Sequence, residues 1–370
     1  MILLEACLIL YVILIAFFCY GFLILPTYTV SEQNIDNKPS TGFTIVIPFR
    51  NEAENLERLL NSLFALDYPK SLYEILLIND DSSDQSLQVI QKFIECHSLN
   101  LKVVNSARFS GSPKKDALTK GISLSAFDWI VTTDADCSVP KNWLHAIDFK
   151  AKQPLIKFIA GPVTLFPQQG FLNEFQQLDF LSLQGATIGS FGLNKPFMCN
   201  GANLAFSKHE FLTLNGYQNT NHIASGDDLF LLQKFADSSV DSVVYMKSKD
   251  ALVYSNAQTT FSQLSQQRKR WASKASAYTS VFAIGTSLLV LTGNIASILS
   301  LFFLKDIGYI VLLKLFLDFC LIYLTARLFK QTESLKYYFV VLFLHPFFTL
   351  YIAVWSQFGK FEWKGRSFKK

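Results

Sequence analysis

FTIVIP at residues 43–48, YEILLIN at 73–79, LKVVN at 101–105 and DWIVTT at 128–133 are four short, largely apolar runs. Each ends at a proline or a polar cluster, as buried strands do. Between them, residues 52–66 place leucines at 56, 59, 60 and 63, a helical period. Residues 86–93 and 116–126 also read as helices. Strands alternating with helices specify an α/β fold: a mostly parallel sheet with helices on both faces.

In such a sheet, ligands gather at the carboxyl ends of the strands. Acidic clusters follow two of these ends. Asn79-Asp80-Asp81-Ser82-Ser83-Asp84 follows the second run, and Asp134-Ala135-Asp136 follows the fourth. Asp and Ser also favour turns and helix N-caps, which is the plain structural reading of both, above all of Asp84. Yet two carboxylates two residues apart beyond a buried strand repel each other unless a cation lies between them. Hard divalent cations take oxygen ligands, commonly one or two carboxylates plus substrate phosphates. A third acidic pair, Asp227-Asp228, follows Gly226 and precedes the helical LFLLQKF. It reads either as a charged helix start or as a general base.

Other chemistries lack their signatures. There is no GxxxxGK[ST], no GxGxxG after the first strand and no GxSxG. The six cysteines form no CxxC pair, so neither a zinc site nor a disulfide framework is expected.

Working outward, the flanks change character. Half of the chain is hydrophobic, 17% is charged, and the mean hydropathy is +0.26. Residues 276–370 carry 10 Lys/Arg against 4 Asp/Glu, a net of +6, which leaves −2 of the overall +4 for the first 275 residues. A weakly acidic body with an apolar, basic end argues against nucleic-acid binding and for membrane attachment. Residues 6–31 hold no charge and begin ACLILYVILIAFFCYGFLIL, long enough to span a bilayer. With no basic n-region and no clean small-residue cleavage site, they read as a retained anchor rather than a signal peptide.

The expected organisation is therefore an anchor at 1–30, a linker at 31–42, a catalytic domain at 43–275, a membrane region at 276–359 and a basic tail at 360–370. The membrane region holds three apolar segments, 281–304, 307–329 and 337–359. Lys314 and Asp318 interrupt the second at i, i+4 spacing, as a self-neutralising pair or as a polar lining. Pro346 is expected to kink the third. The basic tail favours an inside C-terminus, whereas three spans after a cytosolic domain put it outside, so the parity stays open. Gln267-Arg268-Lys269-Arg270-Trp271 lies just before the membrane region, where cations and an interfacial tryptophan also serve as anchoring.

Taken in order, these motifs resemble the membrane-bound family 2 glycosyltransferases, which include cellulose and hyaluronan synthases and ceramide glucosyltransferase. IVIPFRNEAENLERLLNSL resembles the family's first strand and helix, and NDDSSD its nucleoside-binding motif. Lys114-Lys115-Asp116-Ala117-Leu118 resembles its K-x-x-A-L segment, and Asp134-Ala135-Asp136 its metal-binding D-x-D. CNGANLAF at 199–206 resembles its acceptor-side strand, Gly226-Asp227-Asp228 its E-D motif and QRKRW its Q-x-x-R-W.

The resemblance implies a GT-A fold and inverting transfer of a sugar, most often UDP-linked, to a lipid or polysaccharide at the cytosolic face of a membrane. It implies that Pro48, Arg50, Glu52, Asp80, Lys114 and Asp134 bind the nucleotide-sugar. Asp134 and Asp136 would hold Mg2+ or Mn2+. Asp228, with Asp227, would be the base, while Gln267, Arg270, Trp271, Asn200 and Gly201 would face diphosphate or acceptor. Two positions depart from the pattern: Asn79 replaces the first Asp of the usual pair, and Asp227 replaces Glu. A nucleotidyltransferase is disfavoured because PFRNEAEN lacks a glycine-rich loop. A catalytically silent partner in an envelope polysaccharide assembly complex is the non-enzyme alternative.

Overall fold

The computed structural model describes residues 1–30, 38–223, 225–358, 361–364 and 366–368. Most of the expected linker (31–37) and parts of the basic tail (360, 365, 369–370) lie outside the described residues.

The elements begin with α1 (Ile2–Ile24), β1 (Phe43–Phe49), α2 (Ala53–Phe64), β2 (Tyr73–Asn79), α3 (Ser86–Cys96) and β3 (Leu101–Asn105). Next come α4 (Pro113–Leu124), β4 (Trp129–Thr132), α5 (Trp143–Ala151), β5 (Phe158–Ala160), β6 (Val163–Leu165) and α6 (Phe171–Gly192). Then follow β7 (Leu204–Ser207), α7 (Lys208–Thr213), α8 (Asp227–Ser238), β8 (Val243–Tyr245), β9 (Val253–Ser255) and α9 (Phe261–Ala272). The chain closes with α10 (Val281–Ser300), α11 (Leu304–Phe329), α12 (Tyr338–Trp355) and the hairpin β10 (Phe361–Trp363) and β11 (Arg366–Phe368).

These divide into two units. One comprises residues 27–164 and 198–256 and holds a seven-stranded sheet of order β3-β2-β1-β4-β7-β5-β8. β1 pairs in parallel with β2 and with β4, and β2 with β3. β7 runs antiparallel between β4 and β5. The sheet is thus mostly parallel with one reversed strand, the mixed arrangement expected of a GT-A fold. The apolar runs fill its centre: Ile45, Val46, Ile47, Ile75, Leu77, Ile78, Ile130 and Val131 are all buried. α2 buries Leu56, Leu59, Leu60 and Leu63, the four leucines of its helical period. Because β1, β2 and β4 share one direction, their carboxyl ends open on one edge of the sheet.

The other unit comprises residues 1–26, 165–197 and 257–370 and is helical apart from its end hairpin. Among the described residues, four helical stretches are long and apolar enough to cross a membrane: Ile2–Ile24, Val281–Ser300, Leu304–Phe329 and Thr332–Trp355. Pro346 lies inside the last helix. α6 packs here too, against α1 and α11. Its crossing with α1 is close because Gly21 meets Gly189 and Gly192. A Cβ on Gly192 would lie 1.9 Å from the Gly21 carbonyl oxygen, and one on Gly189 2.4 Å from the Phe18 carbonyl oxygen. Gly185 faces Leu321 and Thr325 of α11 in the same way.

Candidate functional site

The first two strand ends are laced to each other. Arg50, just past β1, donates from Nη1 to the Asp80 carbonyl at 2.8 Å and also to the Asp81 carbonyl. Asn51 adopts a left-handed conformation (φ 51°), which lets its side chain accept from Ser83 N at 2.8 Å. Asn79 serves the turn itself, accepting from Ser82 N at 3.0 Å and donating to Asn105 at 3.0 Å. A neutral amide does both at once, which accounts locally for asparagine at this position.

Asp80 is buried, 3.5 Å from Arg108 Nε. Glu52, also buried, accepts from Asn55 Nδ2 at 2.7 Å, and Pro48 lies within β1. Asp84 has the structural role that its N-cap chemistry suggested: its two oxygens accept from Ala53 N and Ser86 N, each at 3.0 Å, at the starts of α2 and α3. The little burial it has would raise its pKa, but the Ser86 hydroxyl and these backbone amides hold the carboxyl below its ordinary range.

The second cluster draws together residues distant in sequence. Lys114, in the first turn of α4, reaches Asp134 Oδ1 at 2.8 Å and Asp227 Oδ2 at 3.1 Å. Burial alone would lower its pKa; the Asp134 and Asp227 carboxylates reverse this and hold it well above the ordinary lysine value. One residue on, Asp228 Oδ2 accepts from Gly201 N at 3.3 Å. A Cβ on Gly201 would lie 3.0 Å from Asp227 Oδ2, so a side chain there would press on this carboxylate. Thr132, the last residue of β4, ties the same loop down by donating to the Gly201 carbonyl at 2.9 Å. Asn200 braces it from the other side, accepting from Ala202 N at 3.0 Å. Gly226 turns the chain into α8 with φ at 80°, a left-handed conformation suited to glycine. Both aspartates therefore stand at a helix N-terminus, where the dipole favours their charge.

Asp136 sits in the turn after β4, with Cys137 Sγ 3.6 Å and Ser255 Oγ 3.4 Å from its oxygens. Burial, then the Asp136 and Asp134 charges, push the Cys137 thiol well up, so it faces Asp136 as a neutral S–H. The donors in this turn are thus carboxylate oxygens, which suit Mg2+ or Mn2+ rather than a thiophilic metal. Among the described residues no three His, Cys, Asp or Glu side chains converge as a metal cage. Two carboxylates suffice where a diphosphate supplies the remaining ligands.

Gln267, Arg270 and Trp271 lie on α9, in the helical unit. Between them, Arg268 bonds Asp179 Oδ2 of α6 through Nε at 2.8 Å and Nη2 at 2.7 Å. It also donates to the Gln267 side chain and lies 4.2 Å from the centre of a Trp271 ring. His345 of α12 meets the other Asp179 oxygen at 3.0 Å. Sequence reasoning passed over Arg108 and Asp179, and quoted Arg268 inside the Q-x-x-R-W stretch without giving it a role. No local pattern marks their partners, since each matters through a residue at least 27 positions away.

Mixed sheet and strand-end acids together define the class: a GT-A glycosyltransferase. The chain belongs to glycosyl transferase family 21, whose model matches residues 8–370. That agrees with the resemblance drawn from the motifs. The poly-beta-1,6-N-acetyl-D-glucosamine synthase of Staphylococcus epidermidis is 26% identical over 233 residues, 62% of this chain and 54% of that one. The glycosyltransferase AglE of Haloferax volcanii is 33% identical over 102 residues, 28% of this chain and 33% of its own. The chain thus spans about half or less of the length of these relatives. Among solved structures, the mannosyltransferase PcManGT of Pyrobaculum calidifontis, in complex with GDP-Man and Mn2+, matches with a TM-score of 0.59 at 17% identity. That match covers 96% of this chain and 99% of the other, and shows a shared fold.

Proposed function

We propose that this protein is a membrane-anchored, inverting glycosyltransferase that moves a sugar from a nucleoside-diphosphate donor to a lipid or polysaccharide at the cytosolic face. One observation carries the reading. Lys114 bridges Asp134 and Asp227, while Asp228 stands one residue further on against Gly201 N. A cation site, a phosphate-seeking ammonium and a carboxylate base are thereby linked at one edge of the sheet.

In this reading Asp80 and Arg50 hold the nucleoside end, with Pro48 and Glu52 shaping the β1 turn. Asp134 and Asp136 would hold Mg2+ or Mn2+, which when bound neutralises charge on the departing diphosphate. Lys114 supplies a second positive charge there, and the diphosphate takes over contacts that Asp134 and Asp227 now make with it. Asp228 accepts the proton of the acceptor hydroxyl as that oxygen attacks the anomeric carbon. The C–O bond to the nucleotide breaks as the new glycosidic bond forms, so a single displacement inverts the centre. Asp227 and Lys114 keep Asp228 in a charged, half-buried setting, and Asn200 and Gly201 line the acceptor side. Gln267, Arg270 and Trp271 are assigned to diphosphate or acceptor through the Q-x-x-R-W resemblance. The polysaccharide synthase among the relatives and the apolar helices favour a membrane-bound glycan or glycolipid acceptor.

The test is nucleotide release by the detergent-solubilised full chain, incubated with UDP-, GDP- and dTDP-sugars and Mn2+, Mg2+ or EDTA. EDTA-sensitive release from one donor is expected, lost in Asp136→Ala. Release that ignores both EDTA and Asp136→Ala would sink the metal assignment.

A further inference from the structure

Arg58 lies on α2, half-buried, inside the IVIPFRNEAENLERLLNSL stretch but with no part in the site described above. Its Nη2 donates to the main-chain oxygen of Asp136 at 3.1 Å, to Asn256 Oδ1 at 2.9 Å and to Asn55 Oδ1 at 3.2 Å. Asn256 Nδ2 in turn donates to Asn55 Oδ1 at 2.8 Å. Three segments therefore meet on one guanidinium: α2, the turn after β4 and the residue that follows β9.

The turn is braced beyond that point as well. Ser138 and Tyr254 exchange backbone hydrogen bonds of 2.8 and 3.0 Å, and Val139 N donates to Ser62 Oγ of α2 at 3.2 Å. These contacts fix the chain beyond Asp136. Arg58 acts on Asp136 itself, through the carbonyl. That bond orients the peptide and takes up no carboxylate oxygen. All three bonds leave the one nitrogen Nη2, which the rigid, planar guanidinium holds in place as a lysine ammonium on a flexible stem does not.

We propose that Arg58 is a positioning residue for the cation-binding turn. Held by Asn55 and Asn256, it sets the angle at which Asp136 presents its carboxylate to the divalent cation that accompanies the donor diphosphate. This rests on the assignment of Asp134 and Asp136 made above. Groups that orient a metal ligand without touching the metal typically change metal affinity by about 10–100-fold when removed.

The experiment is Mn2+ uptake by the solubilised full chain in the presence of UDP, followed by the loss of the free-Mn2+ electron paramagnetic resonance signal. Wild type, Asp136→Ala, Arg58→Ala, Arg58→Lys and Asn256→Ala are compared, with metal-free melting recorded for each. Arg58→Ala and Arg58→Lys should raise the half-saturating Mn2+ concentration about tenfold or more. Asn256→Ala should shift it the same way by less. Turnover of both Arg58 variants should recover as Mn2+ is raised, which a merely destabilised fold would not do. Should Arg58→Ala fail to fold, Arg58→Lys and Asn256→Ala decide the matter. Normal uptake in wild type, loss in Asp136→Ala and wild-type half-saturation in folded Arg58→Lys and Asn256→Ala overturn this inference alone. No uptake in wild type, or undiminished uptake in Asp136→Ala, overturns the assignment of the turn and this inference with it.

Discussion

Half-buried Lys114 and buried Lys314 both face carboxylates, one in each unit. Lys114 meets Asp134 and Asp227 from a loop-to-helix start, while Lys314 meets Asp318 four residues along α11 at 2.7 Å. The second pair is closed. Tyr11 of α1 donates to the other Asp318 oxygen at 3.0 Å, and its ring lies 4.9 Å from the ammonium. The first is open, since the Asp134 side chain keeps 35% of its exposure. Here the Asp318 carboxylate takes both the ammonium and the Tyr11 hydroxyl, so its charge is met within the bundle and the pair ties α11 to α1. A lysine shared between two acids, at an edge where strand ends open, is arranged to exchange partners. The same charge pair thus serves packing in one unit and chemistry in the other.

Mutations should separate the two. The largest effect is expected for Asp228→Asn, which should lower transfer about 1,000-fold while nucleotide binding, read by calorimetry, is retained. Normal turnover in that variant would remove the base from the open cluster. Next, Lys314→Met should cost about 3 kcal/mol in detergent melting, because Asp318 is left buried without its cation. Replacing both Lys314 and Asp318 by leucine should regain most of that loss. If the double variant instead melted normally but lost activity, the closed pair would belong to the chemistry after all.

Lys114→Met should reduce turnover about 100-fold with only a small change in melting. A large loss of stability with little loss of rate would make Lys114 a second closed pair. The smallest effect is expected at Asp84, which lies outside both clusters. Asp84→Ala should cost about 1 kcal/mol, as a helix cap does. The folded pKa of Asp84 lies below its unfolded value. Its contribution is therefore present above the unfolded pKa and fades as pH falls through the folded one. The gap between wild type and Asp84→Ala should accordingly close in acid and stay constant from mildly acidic to neutral pH.

The two units were also unequally legible in the sequence. β2 and β3 lie where the apolar runs put them, and β1 and β4 differ by a residue or two. β2 is buried at every position, so its apolar run marks its length, while β3, a partly exposed edge strand, is marked by the asparagines at 100 and 105. The Lys114–Asp134–Asp227 cluster was legible as three separate motifs, not as one contact, because only tertiary folding brings 114, 134 and 227 together. β5, β6, β8 and β9 are three residues each, too short to show any period.

α6 is the clearest gap. The sequence reading kept residues 165–197 inside the 43–275 domain, and the structure packs them among the apolar helices. Its buried face includes Gln176, Gln177, Asp179 and Gln184, which a hydropathy reading counts as exposed. They are buried because partners elsewhere satisfy them, as Arg268 and His345 satisfy Asp179 and Gln258 satisfies Gln176. Lys314 and Asp318 were the reverse case. Their i, i+4 spacing announced the pair from sequence alone, although Tyr11 did not show.

The glycine-lined crossing of α1 and α6 has a consequence for how the molecule is made. The backbone that Gly21 rests against, around Gly189 and Gly192, is translated some 170 positions after it. The partners of Tyr11 on α11 come later still. Throughout that interval α1 has a smooth, notched face and nothing of its own chain to fill it. Nearly all of the first four strands is translated before that notch closes. The helical unit therefore closes only after the strands β1 to β6 have been made, although α1 precedes them in the chain.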